Sequence, residues 1–288
     1  MLKIRICILS LINIERGMKM TEILGQTNGN EQNEKLDKLF QAARNARETS
    51  DDATALKHYE EISAINPNSW EAMFYLVILK TNSIKNGEIA SAAASVQNCL
   101  PKVFELIKNT ISDNEEQKKV VQEVLDQCYK TALWLTSASE NFYKSITEGN
   151  GTMAMTGIFG AATSLDATSK ARHESRKRSI QISGIFIHCF TAIEKTCDDD
   201  EFYRNKKAWL LEKTFDLHFR HIKFCKTAIY DKNAVETFYT ELKKLNPSYI
   251  LPDIKATGNR NNLILGIALT VVALAIGIIY ALWISNAF

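Results

Sequence analysis

Proline and glycine are scarce in this chain, with four prolines and twelve glycines in 288 residues. So few turn-forming residues argue against a fold of many short strands. No segment shows the sustained alternation of apolar and polar residues that is typical of a half-buried strand. Apolar residues instead recur at helical spacing almost without a break from Leu36 onward. We therefore predict an all-α fold.

Cysteine pairs at metal-binding spacing are also lacking, because the six cysteines are scattered and no CxxC occurs. Scattered thiols are typical of reduced core residues, so we expect neither disulfides nor a bound metal. A strong excess of charge is missing too, since the formal net charge is +2. This balance argues against nucleic acid as a partner, and no G-K-[ST] or GxGxxG sequence is present to hold a phosphate. We predict no cofactor.

Charge of either sign is absent after Arg260, and an apolar run of 22 residues extends from Leu263 to Ile284. A helix of that length reaches roughly 33 Å, enough to cross a hydrocarbon core of about 30 Å. We therefore predict a single transmembrane helix over 263–284 that tail-anchors the chain in the cell membrane. Lys255 and Arg260 precede the run, so the positive-inside rule places the N-terminal domain in the cytoplasm.

Small residues recur along one face of this predicted transmembrane helix. Ala273, Gly277 and Ala281 are spaced four apart. Small side chains at that spacing let two membrane helices approach closely. The pattern favours a homo-oligomer formed through the transmembrane helix.

The first 33 residues are expected to be a lead-in and not part of the fold. Met1–Ile14 has the cations and short apolar stretch of a weak signal peptide, but no small-residue cleavage site follows it. Glu15-Arg16-Gly17 is what a purine-rich ribosome-binding site encodes when it is translated. We therefore expect translation to begin at Met18 or Met20.

The body of the chain, 34–247, is predicted to be one all-α domain, joined to the membrane helix by a linker over 248–262. The expected helices are 34–48, 51–65, 70–83, 87–111, 112–146, 165–196, 201–229 and 232–245. Pro101 is expected to kink the fourth helix or to split it. The segment from Glu148 to Ser164 breaks the helical spacing and predicts a loop.

Helix caps and buried faces can also be predicted. Asp51 and Asp52 are suited to cap the second helix, a Ser112–Glu115 capping box the fifth, and Asp198–Glu201 the seventh. The buried face of the fifth helix should carry Val121, Leu125, Cys128, Ala132 and Leu135. That of the seventh should carry Leu211, Phe215, Phe219 and Ile222.

The stretch DDATALKHYEEISAINPN, residues 51–68, resembles the second helix and exit turn of a tetratricopeptide repeat. Ala55 matches a small position at which helices pack closely, Tyr59 the aromatic that fills the groove, and Pro67 the closing proline. Upstream, Ala43 matches the small position of the first helix. The resemblance implies helical hairpins that stack into a solenoid.

The wider sequence resembles a family of uncharacterised bacterial helical proteins, with Trp70 beginning a degenerate second repeat. The resembling stretches are 42–80, 90–108 and 242–252. Many members have a zinc ribbon before this region, which is absent here because the chain has no CxxC. Stacked helical hairpins leave a groove that commonly receives a peptide or a helix of a partner. The resemblance implies a fold and a binding role, and no chemistry.

An apolar and basic segment over 153–178 favours a second role at the membrane surface. Phe159 lies in its apolar part, and Arg172, Arg176, Lys177 and Arg178 follow. Such a segment can bind an anionic leaflet. The alternative is an interhelical loop followed by an ordinary solvated helix face.

Histidine and cysteine share one face of the seventh helix, at His218, His221 and Cys225. His188 and Cys189 could complete a tetrahedral metal site or an enzyme site with them. The alternative is that all are core residues, which both types frequently are in helical proteins. We assign no residue as catalytic or metal-binding.

These patterns together predict a membrane-anchored scaffold or adaptor that binds an unknown protein partner and has no enzymatic activity. One alternative is a membrane-remodelling protein that works through 153–178. Another is an enzyme built on the histidine and cysteine residues.

Overall fold

The computed structural model describes residues 32–154 and 158–252, and side chains in these ranges outside 150–162. Over these residues the chain forms eight α-helices and no strand, which confirms the all-α prediction. Helix α1 spans 32–48. The others are α2 (Asp52–Ile65), α3 (Trp70–Asn82), α4 (Ile89–Thr110), α5 (Asn114–Ala154), α6 (Ile158–Thr196), α7 (Glu201–Cys225) and α8 (Lys232–Leu245), with a 3₁₀ turn at Asn86–Glu88.

Aspartates cap several of these helices, two of them as predicted. The Asp51 carboxylate accepts a hydrogen bond from the Thr54 backbone N–H at 3.1 Å, and Asp200 accepts one from Tyr203 at 2.9 Å. The prediction for α5 was wrong by one residue. Asp113, not Ser112, accepts from the Glu116 backbone at 2.7 Å, because α5 begins at Asn114 and this makes Asp113 the capping position.

The predicted loop over 148–164 was also wrong in most of its length, since α5 continues to Ala154 and α6 begins at Ile158. The segment contains glycines but no proline, and a glycine costs a helix only about 1 kcal/mol against about 3 for proline. Neighbouring Ala and Met residues offset that cost. Pro101 does not split α4, which runs unbroken through it. Helix α7 ends at Cys225, four residues earlier than predicted.

Two compact units are formed by these helices, where we predicted one domain over 34–247. Unit 1 comprises the residues up to Leu135 together with Gly184–Tyr203, and unit 2 comprises Thr136–Ser183 and the residues from Arg204 onward. Helices α5, α6 and α7 each contribute residues to both units.

Unit 1 has an apolar core built from antiparallel helices, in which α2 packs on α3 and α3 on α4. The predicted face of α5 is confirmed, because all five of its residues are fully buried. The largest buried side chains of unit 1 are Tyr59, Tyr203, Phe74, Phe104 and Phe186.

Unit 2 packs the second half of α5 and the first half of α6 with α7. Tyr143, Ala171 and Cys225 form a buried cluster, one residue from each helix. Helix α8 buries Leu242, and the segment after it returns to α7, where Tyr249 stacks on Phe215 with ring centroids 6.1 Å apart. Of the face predicted for α7, Leu211, Phe215 and Phe219 are buried and Ile222 is half-buried.

The predicted transmembrane helix over 263–284, with Ala273, Gly277 and Ala281, lies outside the described residues, as does the lead-in up to residue 31. Within 32–154 and 158–252, none of the helices combines the length and the apolar character needed to span a membrane.

Candidate functional site

The residues predicted to pack the repeat mostly lie in the core of unit 1. Ala43, Ala55 and Tyr59 are fully buried. Trp70 is half-buried at the start of α3, behind the capping hydroxyl of Ser69. The packing role predicted for Pro67 was wrong, because Pro67 is exposed. It lies two residues beyond the end of α2, where a proline that cannot continue the helix is common.

A buried carboxylate that the sequence did not reveal joins three helices of unit 1. Glu71, in the first turn of α3, is 4 % exposed. It accepts hydrogen bonds from the Arg44 guanidinium of α1 at 2.5 and 2.9 Å and from the Tyr59 hydroxyl of α2 at 2.9 Å. Burial and the Glu71 charge raise the pKa of Tyr59, and the hydrogen bond to Glu71 raises that of Arg44.

A second polar group lies beside the first and involves Tyr75, Arg47 and Glu123. Tyr75 stacks on Tyr59 with ring centroids 5.4 Å apart, and its hydroxyl donates to Glu123. The Arg47 guanidinium lies 3.4 Å from the centre of the Tyr75 ring and pairs with Glu123 at 3.3 Å. The aromatic ring, the cation and the carboxylate therefore hold α1, α3 and α5 together.

This second group forms part of an open cleft of about 530 Å³ in unit 1. Buried side chains of α3, Tyr75, Ile78 and Leu79, line part of the cleft. Charged and amide side chains make up the rest of the lining: Arg47, Glu48, Asp52, Asn82, Lys119, Gln122, Glu123, Asp126, Gln127 and Lys130. Polar and apolar groups therefore both contribute substantially to the surface of the cleft.

Acidic groups predominate among the cleft side chains that lack an opposite charge nearby. Asp52 accepts a hydrogen bond from the Asn82 amide at 2.9 Å, and Asp126 accepts one from the Gln122 amide at 2.7 Å. Both partners are neutral. The lining also includes Glu48 and Lys130, the latter four residues after Asp126 on α5, so four carboxylates and three cations leave the cleft with a net charge of −1. The Arg47 guanidinium pairs with Glu123, which also lines the cleft. The Lys119 ammonium lies 3.6 Å from the carboxylate of Glu116, a residue that does not line the cleft. The cleft therefore favours a cationic ligand.

The histidines and the cysteine predicted to share a face of α7 do so, in the core of unit 2. His218, His221 and Cys225 are all at least 95 % buried. The Ser179 hydroxyl lies 2.8 Å from Nδ1 of His221, and the Ser175 hydroxyl 3.2 Å from Sγ of Cys225. Burial lowers the pKa of His218. Burial, with the charges of His218 and Arg176, lowers that of His221 to about 4. Both imidazoles are therefore neutral near pH 7.

Buried polar atoms without partners are more numerous in the described part of unit 2 than in that of unit 1, where they are His58 Nδ1 and Thr131 Oγ1. In the described part of unit 2, the side-chain atoms that are buried and make no hydrogen bond are Ser139 Oγ, Arg178 Nη1, His218 Nδ1 and His221 Nε2. Leaving such an atom unpaired costs about 1–3 kcal/mol. The core of unit 2 is thus much less well satisfied than an apolar core of the same size.

The residues considered for a metal site from the sequence are divided between the two units. His188 and Cys189 belong to unit 1, whereas His218, His221 and Cys225 belong to unit 2. Nδ1 of His188 donates a hydrogen bond at 2.9 Å to the carbonyl of Gly184, one turn earlier in the same helix. Across the described residues, no group of three His, Cys, Asp or Glu side chains could hold a metal ion.

The cysteines in the described ranges are free thiols, and several are core residues. Cys128 and Cys189 are fully buried in unit 1, and Cys225 is 1 % exposed in unit 2. Contact with Cys189, together with burial, raises the pKa of Cys128, and burial raises that of Cys225. The thiols of Cys128 and Cys225 are therefore protonated and unreactive in the folded chain.

The basic residues predicted to contact a membrane surface divide into two groups. Arg172, Arg176 and Lys177 are exposed on α6. The prediction for Arg178 was wrong, because its side chain is 4 % exposed, pairs with Glu174 at 3.1 Å and lies over the Phe142 ring. Arg178 points to the core because it follows Ala171 and Ser175 on the buried face of the helix. The Phe159 side chain lies outside the described residues.

Comparison with known proteins gives no family for this chain: no protein-family model and no curated protein matches it.

Proposed function

We propose that this chain is a membrane-anchored interaction module whose tetratricopeptide-like helical hairpins bind an extended, basic segment of a partner protein. The observation that carries the proposal is the 530 Å³ cleft of unit 1. Its carboxylates outnumber its cations by four to three, and Asp52 and Asp126 are hydrogen-bonded to neutral amides. The repeat-like packing of Ala43, Ala55 and Tyr59 supports the hairpin architecture, since these are the buried contacts between such helices.

The chemistry of the cleft is compatible with binding. None of the described residues that line it is a serine, cysteine or histidine, so it lacks the serine–histidine or cysteine–histidine pair of nucleophilic catalysis. Its carboxylates accept hydrogen bonds from Asn82, Gln122 and Tyr75. Fixed carboxylates of this kind pair with Lys and Arg side chains, and the apolar surface of Ile78 and Leu79 can receive one alkyl stem.

Membrane attachment is the second part of the proposal and is supported by the sequence over 263–284. An uncharged helix of this length spans a bilayer, and the cations before it orient unit 1 and unit 2 toward the cytoplasm. Ala273, Gly277 and Ala281 give the span a face suited to self-association. The role that follows is to hold a basic partner segment at the cytoplasmic surface of the membrane.

Peptide binding to the full-length protein in detergent tests the cleft. Fluorescence anisotropy would compare three labelled peptides of equal length: a Lys/Ser peptide, a Glu/Ser peptide and a Gln/Ser peptide. We expect the Lys/Ser peptide to bind most tightly, and Asp52→Asn/Asp126→Asn to weaken it about tenfold, since each lost charge-assisted contact costs about 0.5–1 kcal/mol at an exposed site. The matched variant Glu61→Gln/Glu105→Gln removes two exposed carboxylates elsewhere in unit 1 and should bind as the wild type does. Equal binding of the three peptides, or equal loss in both variants, would contradict the proposal.

A further inference from the structure

Helix α6 carries an exposed strip in unit 2 that combines cations with apolar side chains. We define the α6 strip as Leu165, Arg172, Arg176, Lys177 and Ile180. Leu165 is 73 % exposed and Ile180 is 38 % exposed, both large values for apolar side chains. The three cations between them are exposed as well.

These residues share one side of the helix. Successive residues of an α-helix are rotated by about 100°, which places Leu165, Arg172, Arg176 and Ile180 within an arc of about 80°, with Lys177 beside them. The buried residues Ala171, Ser175, Arg178 and Ile182 lie on the other side. The apolar ends of the strip are 15 residues apart, about 22 Å along the axis. It is therefore a continuous surface and not a set of scattered side chains.

Carboxylates do not neutralise the cations of the strip. In the described ranges no carboxylate lies within ion-pair distance of Arg172, Arg176 or Lys177, although the neighbouring Lys170 pairs with Asp166 at 2.7 Å. The Glu174 carboxylate forms an ion pair with the buried Arg178. Arg176 uses its Nε to donate to the Ile229 carbonyl at 3.3 Å, which fixes the stem of the side chain and leaves the charge exposed.

The course of the chain brings unit 2 close to the proposed anchor. The described part of unit 2 ends at Pro252, and ten residues separate it from the apolar run that begins at Leu263. Even a fully extended connection of this length reaches only about 35–40 Å. Lys255 and Arg260 in it add to the positive charge near the bilayer. Unit 2 is therefore held within reach of the headgroups.

We propose that the α6 strip binds the anionic lipid surface of the leaflet next to the anchor, with its cations at the headgroups and Leu165 and Ile180 inserted between them. The proposal rests on the membrane attachment given under the proposed function. Each cation near an anionic leaflet raises the constant for binding to the surface about fivefold. Three cations therefore raise it about a hundredfold. Exposed apolar residues flanking cations are typical of helices that lie in the interface.

Lipid quenching of a fluorophore on the full-length protein tests this contact. A fluorescent amino acid replaces His173, which is exposed within the strip, and the protein is reconstituted into vesicles that carry headgroup-labelled quencher lipids. One set of vesicles is phosphatidylcholine, and the other contains about one third phosphatidylglycerol. We expect quenching to be at least twofold stronger in the anionic vesicles and to be lost in high salt.

Charge reversal supplies the decisive comparison. Arg172→Glu/Arg176→Glu/Lys177→Glu should abolish the additional quenching, whereas the matched triple Lys35→Glu/Lys57→Glu/Lys108→Glu, at exposed positions of unit 1, should retain it. Circular dichroism verifies that both variants are folded. Equal quenching in neutral and anionic vesicles, equal effects of the two triples, or displacement by equimolar duplex DNA would overturn the proposal.

Failure of the anchor can be told apart from failure of the strip. A carbonate wash that strips the protein from neutral vesicles would show that 263–284 does not span the bilayer. The same full-length protein is then tested by co-sedimentation with anionic vesicles. Binding that the strip variant loses would support the lipid contact without an anchor, and no binding would overturn it.

Discussion

Glu71 is the residue on which the contacts between the first three helices converge. It is an acidic side chain in the first turn of α3, where the sequence favours an exposed carboxylate near the helix dipole. Its burial could not be predicted from its own neighbours, because it depends on Arg44 and Tyr59, which two other helices supply. Ala43, Ala55 and Tyr59, in contrast, were predictable from the repeat, since the motif specifies side-chain size at its packing positions.

Replacing Glu71 with Gln is expected to destabilise the protein by about 2–4 kcal/mol. The change removes a charge that compensates Arg44 and accepts from Tyr59, and breaking a buried pair leaves the remaining partner unsatisfied. The Arg44 side chain is 55 % exposed and can be partly solvated, which favours the lower end of this range. Urea unfolding followed by circular dichroism measures the change.

Glu60→Gln is the matched control for that variant. Glu60 pairs with Lys80 at 3.4 Å, and both side chains are more than half exposed. Removal of an exposed pair changes stability by no more than about 0.5 kcal/mol. Similar losses in the two variants would mean that the Glu71 network does not hold the helices together.

In unit 2, helices α6 and α7 bury several polar side chains against each other. Their contact in unit 2 includes Ser179 and His221, and four polar atoms of this core have no partner. The positions of the helices were largely predictable because apolar spacing is a local property. The polar character of the core was not, since a serine or histidine is assigned to a buried face only after its neighbours are known. Glycine misled the prediction at 148–164, where a helix tolerates it.

The polar core should make unit 2 sensitive to acid. The pKa of His221 is about 4 in the folded chain, against about 6.5 when unfolded, so below pH 6.5 the unfolded state binds a proton that the folded state does not. Stability is therefore complete above about pH 6.5 and is lost as the pH falls toward 4. We expect a loss of about 2 kcal/mol by pH 5 and about 3 kcal/mol by pH 4, measured by urea unfolding across that range.

His221→Gln should flatten this pH dependence, because the amide cannot bind the proton in either state. The matched variant His173→Gln changes an exposed histidine on α6 and removes no buried imidazole, so the wild-type slope should persist. An unchanged slope in His221→Gln would assign the acid sensitivity to other groups.

The whole molecule combines a helical body that the structure describes with an apolar C-terminal run known from the sequence. Composition and spacing were sufficient to predict the all-α class, because the scarcity of proline and the helical spacing of apolar residues are properties of the whole sequence. They were not sufficient to predict two units, since α5, α6 and α7 show no break in spacing where one unit gives way to the other. The cleft of unit 1 was likewise unpredictable, because α1, α3 and α5 each contribute part of it.

Membrane attachment that resists carbonate extraction is expected to depend on 263–284 alone, because the contact proposed for the α6 strip is peripheral. Full-length protein expressed in bacteria should remain in the membrane fraction after carbonate extraction, and a chain ending at Asn262 should be released. Val271→Lys/Leu274→Lys should also be released, because each lysine near the middle of a span costs about 2.5–3.5 kcal/mol on the insertion scale. Ser285→Lys/Asn286→Lys adds the same charge after the run and serves as the control for release. Retention of the shortened chain would show that another part of the protein binds the membrane.

The buried thiols give each unit its own reporter of transient opening. Cys128 and Cys189 can be alkylated only when unit 1 opens, and Cys225 only when unit 2 does. Local openings that differ in free energy lead to different alkylation rates. Mass spectrometry of the alkylated peptides would therefore rank the two units by their opening free energy in a single experiment, with no cysteine introduced by mutation. The thiols of the natural sequence thus report on the opening of each unit separately. We expect Cys225 to be alkylated faster than Cys128 and Cys189, because unit 2 buries more unsatisfied polar atoms among the described residues.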